Sequence, residues 1–455
     1  MKNARSPVSC NLRVWTEKGQ EATVRITITT GGSRGDVQPY VALGLGLKAA
    51  GHEVLLAAPA AFQDLVLGRG LRFYPIALDP LESVRRQLED GSANLLRFAK
   101  RSRDIFQQFI EGDLRACLEA CRGADAVVYS SVGFLGHKIA QELELPRVGA
   151  MYGPLLSSTH CFPSSWVPVL SGELALCCED RRSLKSPRRL YNRLSYVLSQ
   201  QALWQFMRAP VNEALRAEPR LLPYPFRGPF GELWRSREPI LHGWSRHVLP
   251  HPLDWGEHLP VTGYWFLDRP RDWRPPAELN DFLGSGPAPV SVGFGSMSGG
   301  DPEQLTYTVL DALKSAGQRG VLLTGWGGVS NADLPDEVFK VEEVPHDWLF
   351  PRVVAAVHHG GAGTTAASLR ARVPTIVVPF FADQSFWGAR VAGLGVGPSP
   401  IPRKKLSAEL LAGAIRQATT DVGMRKRARL LGEKIRTEDG VGRAVEAFHL
   451  HVGRA

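Results

Sequence analysis

Residues 358–365 of this 455-residue chain read His-His-Gly-Gly-Ala-Gly-Thr-Thr, a run suited to holding an anion. Gly360, Gly361 and Gly363 let the backbone approach a ligand closely. The helix expected after them offers unpaired N–H groups at the positive end of its dipole. A diphosphate fits such a place. His359 and the hydroxyls of Thr364 and Thr365 add donors, which a departing diphosphate requires as charge builds on it. The competing reading is a glycine-rich strand-to-helix turn with structural duties only.

Three further places carry chemistry. Phe380–Trp387 (FFADQSFW) puts Asp383 beside Gln384 at the end of an apolar strand. A carboxylate accepts hydrogen bonds while an amide donates and accepts, so the pair can hold vicinal hydroxyls of a sugar. Val344–Phe350 (VPHDWLF) sits at a similar strand end, and His346 in it reads equally as a ligand contact or a loop residue. Near the other end of the chain, Asp36 follows the first strand, where a carboxylate can take the proton of an attacking alcohol. Its bland reading is a helix N-cap. His137, opening a helix in SVGFLGHKIA, is the second candidate base, although a lone histidine is more often structural.

No Asp-x-Asp occurs, so the usual carboxylate pair for a cation on a nucleotide-sugar is missing and a metal-independent reaction is expected. One base without a second nucleophile implies a single displacement that inverts the reacting carbon. The six cysteines, Cys10, Cys117, Cys121, Cys161, Cys177 and Cys178, form no CxxC pair. Cys117 and Cys121 lie one helical turn apart and read as small buried residues in a reduced compartment.

The elements that must position these residues alternate. Thr23–Thr30 is a β-branched strand, Val37–Ala50 a helix stopped by Gly51, and His52–Ala58 a second strand. Ala126–Ser130, Gly136–Leu143 and Arg147–Met151 repeat the unit. After an irregular, aromatic-rich stretch the alternation resumes with Pro289–Gly293, Pro302–Ser315, Val321–Thr324, Val353–His358, Ala362–Ala371 and Thr375–Val378. The fold class is therefore α/β, with two Rossmann-like domains facing each other across a cleft where small ligands bind. We divide the chain into an extension (1–22), a first domain (23–250), a Pro/Gly-rich linker region (251–288), a second domain (289–435) and a terminal helix (436–455) that packs back on the first domain.

Four motifs in order, Gly32–Pro39 (GSRGDVQP), Val344–Phe350, His358–Thr365 continued by AASLRARV, and Pro379–Trp387, resemble the UDP-glycosyltransferases of GT-B fold. The likeness is strongest to sterol glucosyltransferases and runs from about Thr23 to about His449. It implies that His359 and the turn Gly360–Thr365 hold the donor's diphosphate, that Asp383 and Gln384 hold its sugar, and that Val344 lies against its base. It further implies that Ser33, Arg34 and Ser296 lie near the donor and that inversion needs no metal or other cofactor. One departure is Ala367, near where many relatives carry a ribose-binding Glu, which loosens the expected preference for UDP over TDP.

The expected partners are a nucleotide-sugar and an apolar, hydroxylated acceptor. Met151–Leu170 and Leu198–Met207 supply apolar and aromatic side chains for the acceptor. The net charge of +9 includes clusters at Arg181–Arg193 and Met424–Arg429. These read as solvated surface or as attraction to an anionic membrane or phosphates. No aromatic-interleaved basic motif points to nucleic acid. Neither a signal peptide nor an 18-residue apolar span is found, so a cytoplasmic location is expected, with peripheral contact at a membrane as its alternative form. Two alternatives stand: a macrolide or polyketide glycosyltransferase using a UDP- or TDP-deoxysugar, and a non-catalytic binder of nucleotide sugars or lipids.

Overall fold

The computed structural model describes residues 23–76, 109–131, 133–167, 176, 187–295, 302–323 and 334–452. The expectations for Ser296, Cys10, Cys177, Cys178, residues 1–22, residues 168–170 and residues 181–186 lie outside them. Two wholly parallel sheets form. In the first, β1 (Arg25–Thr29), β2 (Glu53–Pro59), β3 (Arg72–Ile76), β4 (Ala126–Tyr129), β5 (Arg147–Met151) and β6 (Ile240–His242) take the order β3-β2-β1-β4-β5-β6. In the second, β7 (Val290–Gly293), β8 (Gly320–Leu323), β9 (Val338–Val341), β10 (Ala355–His358) and β11 (Thr375–Val377) take the order β11-β10-β7-β8-β9.

Helices cover both faces of each sheet, so the central strands are apolar throughout rather than alternating. Ile26 pairs with Val54 on one side and Ala126 on the other, and all three are buried. Sequence periodicity misses β3, β6 and β9. Arg72 on β3 and Phe339 and Lys340 on β9 keep access to solvent, which breaks the apolar run at these sheet edges, and β6 has only three residues.

The helices used below are α1 (Arg34–Ala49), α2 (Leu135–Glu142), α3 (Pro187–Ala217), α4 (Pro302–Ser315), α5 (Ala362–Arg370), α6 (Gln384–Gly393), α7 (Ala408–Thr420), α8 (Val422–Arg436) and α9 (Gly440–Val452). α1 starts three residues before the expected Val37. Asp36 is therefore not its N-cap. Ser33 is, and Asp36, at the third helical position, reaches back to the Ser33 N–H.

Chain order and packing part company at α9. Ala444, Val445, Ala447, Phe448 and Val452 join β1, β2 and α1 in the first domain's core. His449 Nε2 lies 2.7 Å from His52 Nε2 just before β2. The region expected as a linker is packed, with Trp255, Val261, Tyr264 and Trp265 buried. Another cluster joins the domains: Phe162, Tyr196, Trp244 and Val248 meet Phe386, Trp387, Ala389 and Val391 of α6. The outgoing chain touches the returning one at Gly263 and Gly440. Gly263 has a φ of 110°, and a Cβ on Gly440 would stand 2.2 Å from the Tyr264 carbonyl oxygen. Among the described residues no helix is long and apolar enough to cross a membrane.

Phe448→Ala is expected to cost about 3–5 kcal/mol, the usual range for removing a buried aromatic ring. Urea unfolding followed by the fluorescence of the first domain's tryptophans measures it.

Candidate active site

In an open parallel sheet, connections diverge to opposite faces at one pair of neighbouring strands, and a crevice opens beyond their carboxyl ends. Here those pairs are β1/β4 and β7/β10. The loops after them line one cavity of about 2610 Å³. That volume exceeds a single small-ligand pocket of roughly 300–1,000 Å³ and leaves room for two substrates.

Asp36 lies on the first-domain wall. Its Oδ2 accepts from the Ser33 N–H at 2.7 Å and from Ser33 Oγ at 2.8 Å, while Oδ1 accepts from the Tyr152 hydroxyl. Gly32 permits this: its φ is +90°, and a Cβ there would come within 2.6 Å of Asp36 Oδ2. Burial, and then the Asp36 charge, push the Tyr152 phenol well above its ordinary range, so it stays a neutral donor.

The second-domain wall carries the anion-binding turn. Gly361 is the N-cap of α5, and the first intrahelical bond is Thr365 N–H to the Gly361 carbonyl at 2.9 Å, so the N–H groups of residues 362–364 are free of the helix ladder. Gly361, Gly363, Thr364 and His359 line the cavity. His358 Nδ1 accepts the Gly360 N–H at 3.0 Å and so fixes the turn from behind. Burial, followed by the neighbouring His346, lowers His359 to about 4. His346, stacked on Phe350 with ring centres 4.5 Å apart, falls to about 4 from burial and then the Arg34 charge. Both imidazoles are neutral at pH 7. Among the described residues His359 Nδ1 is buried and has no hydrogen-bond partner.

Two expected contacts face elsewhere. Thr365 is 1% exposed, one turn inside α5, and does not line the cavity. Gly360 packs inward, and a Cβ on it would meet Val377 Cγ1 at 2.5 Å. Gln384 lines the cavity, but its Oε1 already accepts the N–H groups of Phe380 at 2.7 Å and Phe381 at 3.2 Å. Only its amide N–H groups remain to meet a ligand. Asp383 Oδ2 accepts Trp387 Nε1 at 2.8 Å. Its pKa rises to about 6, first through burial, with the Trp387 bond opposing and the charge of Asp36 adding. Asp383 thus lies near Asp36 across the cleft, and a Cβ on Gly153, next to Tyr152, would stand 3.8 Å from Asp383 Oδ2. Ala382, which precedes it, holds a left-handed φ of 54°, a strained turn that aims the carboxylate.

His137 lines the same cavity but is 2% exposed, with Nε2 2.9 Å from Glu238 Oε2. Arg147 bonds the other oxygen of Glu238. Burial opposes ionisation of Glu238, but the bonds from His137 and Arg147 prevail and hold it below the ordinary glutamate value. His137 belongs to a closed polar cluster, whereas Asp36 faces the open cleft. Arg34 pairs with Glu343 across the mouth, beside the buried, cavity-lining Val344. Ala367 lines the cavity without a carboxylate. Sequence reading placed Tyr152 only within the acceptor stretch Met151–Leu170, without its bond to Asp36, and missed Glu238, which lies 101 residues beyond His137 in the chain and carries no local signal.

Around these residues the wall changes character. On the first-domain side Phe134, Leu155, Leu203, Met207, Phe230 and Leu233 line an apolar chamber. Among the described residues no group of three or more acidic, His or Cys side chains is arranged for a metal ion.

Comparison with known proteins agrees with this architecture. Residues 26–143 match the glycosyltransferase family 28 N-terminal domain, and residues 323–439 match the erythromycin biosynthesis protein CIII-like C-terminal domain. A sterol 3-beta-glucosyltransferase of Arabidopsis thaliana is 37% identical over 95% of this chain and 66% of its own. That of Aspergillus clavatus is 38% identical over 94% of this chain and 30% of its own. The chain thus spans under a third of the fungal relative and about two thirds of the plant one. Among solved structures, the glycotransferase of kitacinnamycin superposes with a TM-score of 0.67 at 19% identity, covering 94% of this chain and 99% of the other. A calicheamicin glycosyltransferase gives 0.63 at 19% identity over 95% and 99%.

Between pH 4 and 6 the folded protein retains a proton on Asp383 that the unfolded chain releases, so this residue's contribution to stability declines as pH rises through that window. Asp383→Asn, which keeps an acceptor for Trp387, is therefore expected to raise Tm at pH 8 and to leave it unchanged at pH 4. Thermal denaturation at the two pH values measures the difference.

Proposed function

The chain belongs to the GT-B glycosyltransferases, and from that premise we propose that it transfers glucose from UDP-glucose to the hydroxyl of a sterol or triterpenoid-like acceptor. The observation that carries this reading is the meeting of Asp36 and Asp383 on either side of Tyr152, where an apolar chamber joins a polar, glycine-lined one. The acceptor lies in the apolar chamber with its hydroxyl at Asp36, which takes the proton as the oxygen attacks the anomeric carbon. Asp383 and the Gln384 amide hold the glucose. UDP leaves with its diphosphate against the N-terminus of α5, where backbone N–H groups and the neutral His359 donate to it. Attack and departure occur on opposite faces of the sugar carbon, and inversion results. The helix terminus and His359 take the place of a metal ion. Similarity to sterol 3-beta-glucosyltransferases over 94–95% of this chain supports the acceptor class.

A second reading, glycosylation of a polyketide or macrolide from a TDP-deoxysugar, draws on Ala367, which leaves the ribose wall without a carboxylate. Competition between UDP- and TDP-sugars for the same site separates the two. A non-catalytic binder is disfavoured by the orientation of Asp36, held by three donors at the cleft.

Mass spectrometry of products from UDP-glucose and a panel of sterols and polyketides tests the proposal, with a hexose gain on a sterol as the expected result. Turnover of polyketides alone, or of none, overturns it. Asp36→Asn is expected to lower kcat by about 10²- to 10⁴-fold, the usual worth of a general base. Tyr152→Phe removes one charge-assisted hydrogen bond and is expected to lower kcat by about tenfold or more with the KM for UDP-glucose unchanged.

A further inference from the structure

On α3, the large apolar side chains open to solvent follow one stripe: Leu190 is 60% exposed, Leu194 46%, Val197 42% and Leu198 67%, with Phe206 at 66% two turns on. Spacings of four, seven and eight residues place the first four on a single helical face. Leucines and a phenylalanine on the outer face of a helix that has already buried Tyr196, Trp204 and Val211 have no folding reason to be there. The charge pattern is equally one-sided. From Pro187 to Asn212 the helix carries Arg188, Arg189, Arg193 and Arg208 and not one Asp or Glu. Arg188 and Arg193 are exposed beside the stripe.

The stripe leads into the cavity. Ala202 and Phe206 lie on the exposed face and line the acceptor chamber, as do Leu203 and Met207 beside them. The loop bearing Trp166, itself 46% exposed and cavity-lining, is tied to α3 by Ser164, whose N–H donates to Ser195 Oγ at 2.8 Å and whose Oγ accepts from Ser199 Oγ at 2.9 Å. An apolar path thus runs from the outside of α3 to the chamber without passing through the polar donor half.

We propose that this face of α3 docks on an anionic lipid bilayer and that the acceptor enters the cleft directly from the membrane. The inference rests on an apolar acceptor and deepens that reading. Apolar side chains inserted at the headgroup boundary and arginines beside acidic lipids act together, as in interfacial helices generally. By contrast, the basic run in α8 is a solvated surface: Arg427 Nε bonds the Gly395 carbonyl at 2.7 Å, and Arg429 pairs with Glu433.

The test is co-sedimentation with phosphatidylcholine vesicles, with and without phosphatidylserine, at low and high salt. Wild type is expected to bind the phosphatidylserine vesicles and to be released by salt. The double variant Leu194→Glu/Leu198→Glu, at two positions that do not themselves line the cavity, is expected to partition about tenfold more weakly or worse. A circular dichroism spectrum like that of wild type guards against misfolding. Its turnover is expected to fall with a vesicle-embedded acceptor and to match wild type with a detergent-dispersed one. Equal vesicle binding by the variant, or no binding by wild type at low salt, overturns the proposal. So does a wild-type dimer in light scattering that the variant abolishes while vesicles are ignored, since a second copy would then cover the stripe. Vesicle binding needs no turnover, so it fails or succeeds independently of the glucosyl-transfer reading.

Discussion

The carboxylate of Asp36 is held by three donors from two strand ends, and much of the first domain exists to bring them together. Ser33 supplies two and follows β1, while Tyr152 supplies the third and follows β5. A carboxylate at the start of a helix would ordinarily rotate freely in water. Here the left-handed backbone at Gly32 leaves room for it to turn back on its own helix, and β1, β4 and β5 fix the height at which Tyr152 meets it. The same bonds that cap α1 therefore hold the candidate base facing the opposite domain.

On the second wall, the turn after β10 presents neutral groups to a cavity that Lys340, Arg370, Arg403, Lys404 and Arg436 also line. Its histidines are kept neutral by burial, and its donors are backbone N–H groups at the mouth of α5. Asp383 stands at the other extreme, a carboxylate raised toward neutrality by burial and by Asp36 across the gap. Bringing these two acidic groups together is unfavourable, and Trp387 offsets part of that by holding one oxygen of Asp383.

What the sequence disclosed was set by whether the cause was local. The glycines after β10, the β-branched β1 and the Asp383-Gln384 pair announce themselves because turn chemistry and period are properties of neighbouring residues. The alternation of strands and helices gave both sheets. Roles that depend on distant partners were not legible. Thr365 looks like Thr364 in the sequence, yet the helical turn sends it inward. The Gln384 oxygen is occupied by its own loop, and His137 is joined to a glutamate that only the folding of β6 against β5 delivers. The edge strands β3 and β9 escaped notice because exposure breaks the apolar pattern that marks a strand.

Gly263 and Gly440 press backbone on backbone where the polypeptide leaves the first domain and where it comes home. Both crossings lie side by side, next to the apolar cluster through which Phe162, Tyr196, Trp244 and Val248 also join the first half to α6. Sliding one half over the other would drag α9 out of the core it shares with β1 and break that apolar cluster, so the packing resists shear. Arg34 and Glu343 add an exposed ion pair between the same two halves at the cleft. The outgoing and returning segments are thus fastened to each other as well as to the cores on either side.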